Sequence, residues 1–179
     1  MKKLLLVCVL FCTTLLFAQT SDTERGQSYY NVGNYAEALI CFQRAAKSGD
    51  ALAQTYLGIM YRLGKGVKKN PQISLNMFNK AIAQNYPLAM IQLGHVYHEG
   101  DGVSADLSKA FSLYKKAADL DSPQGQFYTA YCYNAGKGIA KDSVQAFKYF
   151  VLSANNDYEE AAEQVAYFYY IGKDLKQSE

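Results

Sequence analysis

The stretch LGHVYHEGDGVSADLSKAFSLYKKAA, Leu93–Ala118, decides how the whole chain is read, because most of its features occur again at a fixed distance on either side. Tyr61, Tyr97, Tyr133 and Tyr169 follow one another in steps of 36 residues, as do Gly64, Gly100, Gly136 and Gly172. Small residues keep the same period at Gly58, Gly94, Ala130 and Ala166, and again at Ala38, Ser74, Ala110 and Ala146. Four columns in one phase identify an internal repeat, the signature of an array in which each unit packs only on its neighbours.

Within a unit, apolar residues return at three- and four-residue intervals twice over, as at Leu107, Ala110, Phe111, Tyr114, Ala117 and Ala118. That spacing predicts two amphipathic helices per unit. First helices are expected near 51–62, 87–98, 123–135 and 159–171, and second helices near 71–84, 107–120 and 143–155. The loops LGKGVKKN, EGDGVSAD and AGKGIAKD join them. Each opens on a glycine suited to the left-handed turn that stops a helix (Gly64, Gly100, Gly136). Each closes on Asn70, Asp106 or Asp142, whose oxygens cap the next helix, followed by Pro71 at the first helical position or Gln145 in the capping-box place. Val67, Val103 and Ile139 are expected to tuck the loop onto the core. A phosphate-binding reading of these glycines fails: no Gly-Lys is followed by Ser or Thr, no strand pattern precedes, and Asp101 stands where the sister loops carry Lys65 and Lys137.

The start of the chain, MKKLLLVCVLFCTTLLFAQ, reads as a secretory signal: two lysines, an apolar run from Leu4 to Phe17, and Ala18 at a cleavable position. An apolar run of about 14 residues is short of the roughly 20 that a membrane span needs. A lipoprotein anchor is weakly supported, since Cys8 follows Val7 and Cys12 follows Phe11. The expectation is a secreted or periplasmic, envelope-associated protein with no transmembrane anchor after cleavage of residues 1–18. Removing Lys2 and Lys3 brings the basic residues from 18 to 16, equal to the 16 acidic ones. A neutral chain without a lysine or arginine run lacks the electrostatic footprint for nucleic acid or an anionic membrane, so neither is expected as a partner. Cys41 and Cys132 remain; both occupy otherwise apolar repeat positions and are expected as buried hydrophobes in different units, too far apart for a mutual disulfide.

The pattern small–x–x–Tyr–x–x–Gly–x–Gly–Val, then Asp, then Lys-Ala-x-x-x-Tyr-x-Lys-Ala-Ala, as it stands in Leu93–Ala118, resembles the Sel-one-like repeat family, relatives of the tetratricopeptide repeats with a longer elbow. The resemblance covers units 51–86, 87–122 and 123–158 and a partial unit over 159–179. In GQSYYNVGNYAEALICFQRAA, Gly26, Tyr29, Gly33, Tyr35, Ala38, Phe42 and Ala45 resemble the ordinary tetratricopeptide pattern, with an elbow four residues shorter and helices near 22–32 and 36–48. The resemblance implies an all-α fold, a right-handed superhelical solenoid of stacked helical hairpins over about residues 19–171. Beyond it the sequence suggests a degenerate elbow, with Asp174 in the second-glycine place, and a short tail over 172–179.

It also implies a concave wall lined by first helices that binds a peptide or protein. Carried onto this chain, that wall has one column at Gln27, Ile59, His95, Tyr131 and Tyr167, and a second at Tyr30, Arg62, His98, Asn134 and Tyr170. Tyrosine and arginine suit recognition because they offer rigid contact area with a hydrogen-bonding tip. His95 and His98, three residues apart on one helix, lack the spacing of zinc proteases and an evident third ligand, so no metal and no cofactor is expected. Ser112 and Lys115 lie mid-helix beside core positions, and no catalytic residue is assigned. Some cysteine-rich relatives are linked to penicillin binding, but their repeated cysteine pairs are missing here. The reading is therefore a non-catalytic scaffold for protein–protein binding, with an envelope enzyme or cell-wall or β-lactam-binding protein, and a spacer without a groove ligand, as alternatives. The run Tyr167, Phe168, Tyr169 and Tyr170 suggests aromatic surface on the last helix and a homodimer through it.

Overall fold

The computed structural model of the protein describes residues 21–177, with helices as its regular secondary structure. The signal expected over residues 1–18 lies outside the described residues. Nine helices follow in order among the described residues: α1 Asp22–Asn31, α2 Tyr35–Lys47, α3 Ala51–Leu63, α4 Pro71–Ile82, α5 Pro87–Glu99, α6 Leu107–Asp119, α7 Pro123–Ala135, α8 Ser143–Asn155 and α9 Glu159–Gln177. They pack in consecutive pairs, forming an all-α repeat solenoid.

Each pair closes on one recurring contact. A large aromatic ring from the second helix packs against a stretch of first-helix backbone that carries little or no side chain. A methyl group added at Gly26 would fall 2.7 Å from the Phe42 ring, at Gly58 2.5 Å from Phe78, and at Gly94 2.4 Å from Tyr114. In the fourth unit Ala130 and Phe150 take these places, both in one core cluster and both buried. Close approach also lets Ser74 donate from Oγ to the Gly58 carbonyl at 2.8 Å. Cys41 and Cys132 are free thiols, about 1 % exposed, packed as the sequence leads one to expect; burial pushes the Cys132 thiol up to about 11.

The long elbows stop and restart helices as their residues dictate. Gly64, Gly100 and Gly136 adopt φ between 67° and 74° at the helix ends. The amides of Asn70, Asp106 and Asp142 then donate to the carbonyls of Tyr61, Tyr97 and Tyr133 at 2.8–2.9 Å, closing each loop. The second elbow glycine has another task. Gly138 comes so near the preceding unit that a methyl group there would sit 2.0 Å from the Leu107 carbonyl oxygen, and Gly102 likewise presses on Pro71. Elbows thus dock unit on unit. Between units the chain turns through left-handed residues at Gly49, Asn85, Asp121 and Asp157, another 36-residue column; these are residue types that tolerate this conformation.

Three expectations need correction. No elbow forms at Gly172: α9 continues as one helix to Gln177. The sequence has Asp174 where the long elbows carry Gly66, Gly102 and Gly138, the glycines at which an added methyl group would fall within 3 Å of the preceding unit. Gln145 receives the Asp142 cap through its backbone amide, and the reciprocal capping box is found at Ser21 and Glu24 instead. Val67 and Val103 pack on core clusters, whereas Ile139 is 37 % exposed.

The Gly94–Tyr114 contact makes a direct prediction. Gly94→Ala forces the ring off the backbone and should cost about 1–3 kcal/mol in a urea unfolding titration. Gly33→Ala, at an exposed turn with nothing within 4 Å of the added carbon, should lose only what its positive φ demands, about 1–2 kcal/mol, and leave the α5–α6 packing intact by near-ultraviolet dichroism.

Candidate functional site: the first-helix wall

First helices of successive units touch one another, α1 with α3, α3 with α5 and α5 with α7, while the second helices have no comparable contact among the described residues. Closer spacing on one side bends the array toward that side, which makes the first-helix face the inner wall. Both expected columns lie on these helices, but they do not form one uniform surface.

At the N-terminal end, Gln27 donates from Nε2 to the Tyr56 hydroxyl at 3.4 Å. Tyr30 packs edge-on against Tyr35 and Tyr56, with ring centroids 5.3 and 5.2 Å away. Lys65 donates from Nζ to the Tyr30 hydroxyl at 3.1 Å, a bond that lifts the lysine above its ordinary value and keeps it charged. Ile59 packs against the central core cluster, so its side chain serves the interior more than the wall. At the other end Tyr131 is 40 % exposed, with Lys137 Nζ 5.8 Å from its ring, and Asn134 is half-buried. Tyr167 and Tyr170 are exposed on α9.

The centre of the wall carries the chemistry. Arg62, at the end of α3, is 14 % exposed at its side chain and lies 3.6 Å from the carboxylate of Glu99, at the end of α5. That distance makes an ion pair but not a hydrogen bond, and Arg62 Nε and Nη1 are buried without a hydrogen-bond partner. Nε2 of His98 is in the same condition. His95 is fixed on three sides. Its Nδ1 lies 3.0 Å from the Tyr114 hydroxyl, its ring meets Tyr128 edge-on at 4.6 Å, and Tyr114 stacks on Tyr128 at 5.1 Å. Burial, with the nearby Arg62 and then His98, lowers His95 to about 4, and burial pushes the Tyr114 hydroxyl well up. At neutral pH the phenol and the imidazole are both uncharged, and the phenol donates to Nδ1 in the tautomer that carries the ring's proton on Nε2.

The sequence reading assembles Arg62, His95 and His98 but misses Glu99, Tyr114 and Tyr128. A signal for one of them was available: Tyr114 is the only tyrosine in the column Phe42, Phe78, Tyr114, Phe150, and it stands in the unit that holds both histidines. Among the described residues no group of three or more His, Cys, Asp or Glu side chains comes together as a metal site, and no helix is long and apolar enough to cross a membrane. Ser112 is exposed on α6, and Lys115 is held by Asp119 one turn on. Two open hollows, at Glu24, Arg25, Ser28 and Tyr29 and at the first long elbow, include none of the wall residues.

The depressed His95 has a signed consequence. The unfolded chain takes up a proton near 6.5 and the folded one only near 4, so the stability tied to neutral His95 is complete above pH 6.5 and is lost as pH falls toward 4. Urea titrations at pH 7 and pH 4.5 should show a smaller loss for His95→Asn than for the wild type. The His95 Cε1 proton should show no titration midpoint between pH 5.5 and 8.

Comparison with known proteins places this architecture. The family model described as the Sel1 repeat matches residues 23–50, 51–86, 87–122, 123–158 and 159–179, so the short-elbow first hairpin is taken in with the rest. Among solved structures, a Sel1 repeat protein from Oxalobacter formigenes is 32 % identical with a TM-score of 0.74, over 84 % of this chain and 61 % of that one. The protein c5321, a protective antigen of uropathogenic Escherichia coli strains displaying an SLR fold, is 26 % identical with a TM-score of 0.68, over 82 % of this chain and 34 % of its own. Cysteine-rich protein B of Helicobacter pylori, 23 % identical with a TM-score of 0.57 over 79 % of this chain and 95 % of its own, shares the fold. The chain thus spans about three-fifths and one-third of the first two relatives. No curated protein matches. With a repeat model running from residue 23 to residue 179 and a helix pair for each full unit, the chain belongs to the Sel1 repeat family.

Proposed function

We propose that this Sel1-repeat scaffold is a non-catalytic binding protein, exported by its N-terminal signal, that holds a peptide or protein segment along the first-helix wall. The observation that carries this reading is the make-up of the wall's centre and distal half. Arg62, His95, His98, Tyr131 and Asn134 stand on three adjacent first helices, and Arg62 Nε and Nη1 and His98 Nε2 are buried without hydrogen-bond partners. Polar groups buried in this state cost about 1–3 kcal/mol each, and recognition of a ligand is a reason for a fold to carry that cost. Tyr131 adds an exposed aromatic of the kind that anchors binding interfaces.

Cross-linking capture of partners from an envelope extract tests this. Tyr131→Ala and His98→Ala should each lose most of the captured material while melting within about 3 °C of the wild type, a shift near 1 kcal/mol for a chain of this size. Unchanged capture by both variants would leave the spacer reading.

A second surface supports self-association. On α9, Tyr167, Tyr169 and Tyr170 are 56, 67 and 65 % exposed, and Ala166, which continues the small column covered by aromatic rings in earlier units, is exposed as well. Phe168 instead packs inward on Phe147 and Phe150. Light scattering of the exported form should therefore give a dimer mass that returns to monomer in Tyr170→Ser. A monomer mass for the wild type removes the dimer.

A further inference from the structure

Arg62 combines three properties that seldom occur together. Its side chain is 14 % exposed, so its guanidinium is largely desolvated. Two of its nitrogens have no hydrogen-bond partner. The carboxylate facing it, that of Glu99, stands at 3.6 Å, too far to hydrogen-bond, and belongs to a side chain that is 56 % exposed. A well-made Arg–carboxylate pair closes to about 2.7–2.9 Å and gains strength from its charge-assisted bonds. Glu99 makes no such bond. It covers the guanidinium from the solvent side across the junction of two units, and no hydrogen bond holds it there. One residue earlier on the same helix end, His98 has a ring nitrogen that is buried and also without a partner. Both Arg62 and His98 lie near enough to His95 to disfavour its protonation, which puts the three side chains in one neighbourhood at the centre of the wall.

We infer that Arg62, assisted by His98, is the anchor for a carboxylate of the bound chain, and that Glu99 is an internal stand-in which swings into solvent when that carboxylate arrives. The inference rests on the wall being the binding face and names the chemistry it selects. Carboxylate is favoured over other anions because the site already faces one, at the correct charge and the wrong distance. An incoming group free to settle closer recovers the hydrogen bonds that the helix geometry denies Glu99. The exchange keeps the local charge constant, since one carboxylate replaces another, and so avoids stranding the buried guanidinium without a counter-ion. Two sources supply this chemistry, an Asp or Glu side chain and a C-terminal carboxylate.

The test uses the purified protein at 0.15 M salt and four bead-bound pools of random hexapeptides anchored at their N-termini. The pools have free or amidated C-termini, each with or without Asp and Glu among the randomised residues. Wild-type protein should be retained about tenfold better by carboxylate-bearing pools than by the amidated pool lacking Asp and Glu, the size expected for a charge-assisted hydrogen bond. A preference confined to the free-acid pools identifies a C-terminus, and one confined to the Asp and Glu pools identifies a side chain. Arg62→Gln should abolish the preference. Glu99→Gln should enlarge it severalfold by removing the competitor, with helical dichroism checking that the variant, whose Arg62 has lost its counter-ion, is folded. Lys148→Gln, an exposed lysine of α8, should leave it unchanged, and an equal drop there would reduce the effect to general charge attraction and overturn the inference. Equal retention on all four pools that Tyr131→Ala removes would sink the carboxylate anchor and keep the groove. Retention on none would sink both.

Discussion

Everything in this molecule depends on one contact made in each of the four pairs: an aromatic ring of the second helix seated on a glycine or alanine of the first. Phe42 on Gly26, Phe78 on Gly58, Tyr114 on Gly94 and Phe150 at Ala130 set the distance between the two helices of a pair. Such a ring buries a large apolar area in a single contact, and the missing side chain beneath it lets the helix axes come together. Once that distance is fixed, the seven-residue elbow can span the pair, and its second glycine can press on the preceding unit. Local turn chemistry and long-range packing therefore agree, which is the condition for a sequence to specify one fold.

Within two of the units a second set of contacts has a different character. Gln84 donates to Gln54 and Asn156 to Gln126, each from the turn that follows the second helix to the first helix of the same unit. Ser153 reaches the Pro123 carbonyl at 2.7 Å. These polar bonds do not recur in every unit: Met90 and Leu120 occupy the corresponding places in the intervening unit, where Met90 is buried in the central core and Leu120 is exposed.

Much of this was legible before any coordinates. The 36-residue columns announce the units, and Gly64, Gly100, Gly136, Asn70, Asp106 and Asp142 announce helix ends, because glycine and side-chain caps act within a few residues of their own position. The turn column Gly49, Asn85, Asp121 and Asp157 was equally readable, since each residue type tolerates a positive φ. What sequence could not give was set by packing between units. Whether Ile59 faces the wall or the core depends on how far α5 leans over α3. Whether Glu99 meets Arg62 depends on the bend of the array, and whether α9 ends at Gly172 depends on what a preceding unit offers the next elbow to press against.

Repetition and function separate along the same line. Positions that keep the period build the rod; the chemistry gathers where one unit breaks it. Tyr114 replaces phenylalanine in the ring column, and its hydroxyl must find a partner when the ring is buried. His95 supplies that partner from the inner wall at 3.0 Å, so the hydroxyl ties the core to the wall at the unit that also holds His98 and Glu99. The cost is visible in the lowered His95 and the unpartnered nitrogens of Arg62 and His98. A repeat protein tuned for stability alone would carry phenylalanine at position 114 and an apolar residue at 95, as Ile59 does one unit earlier. The third unit gives up that simpler packing, and the polar cluster it gains lies where the first helices of neighbouring units converge.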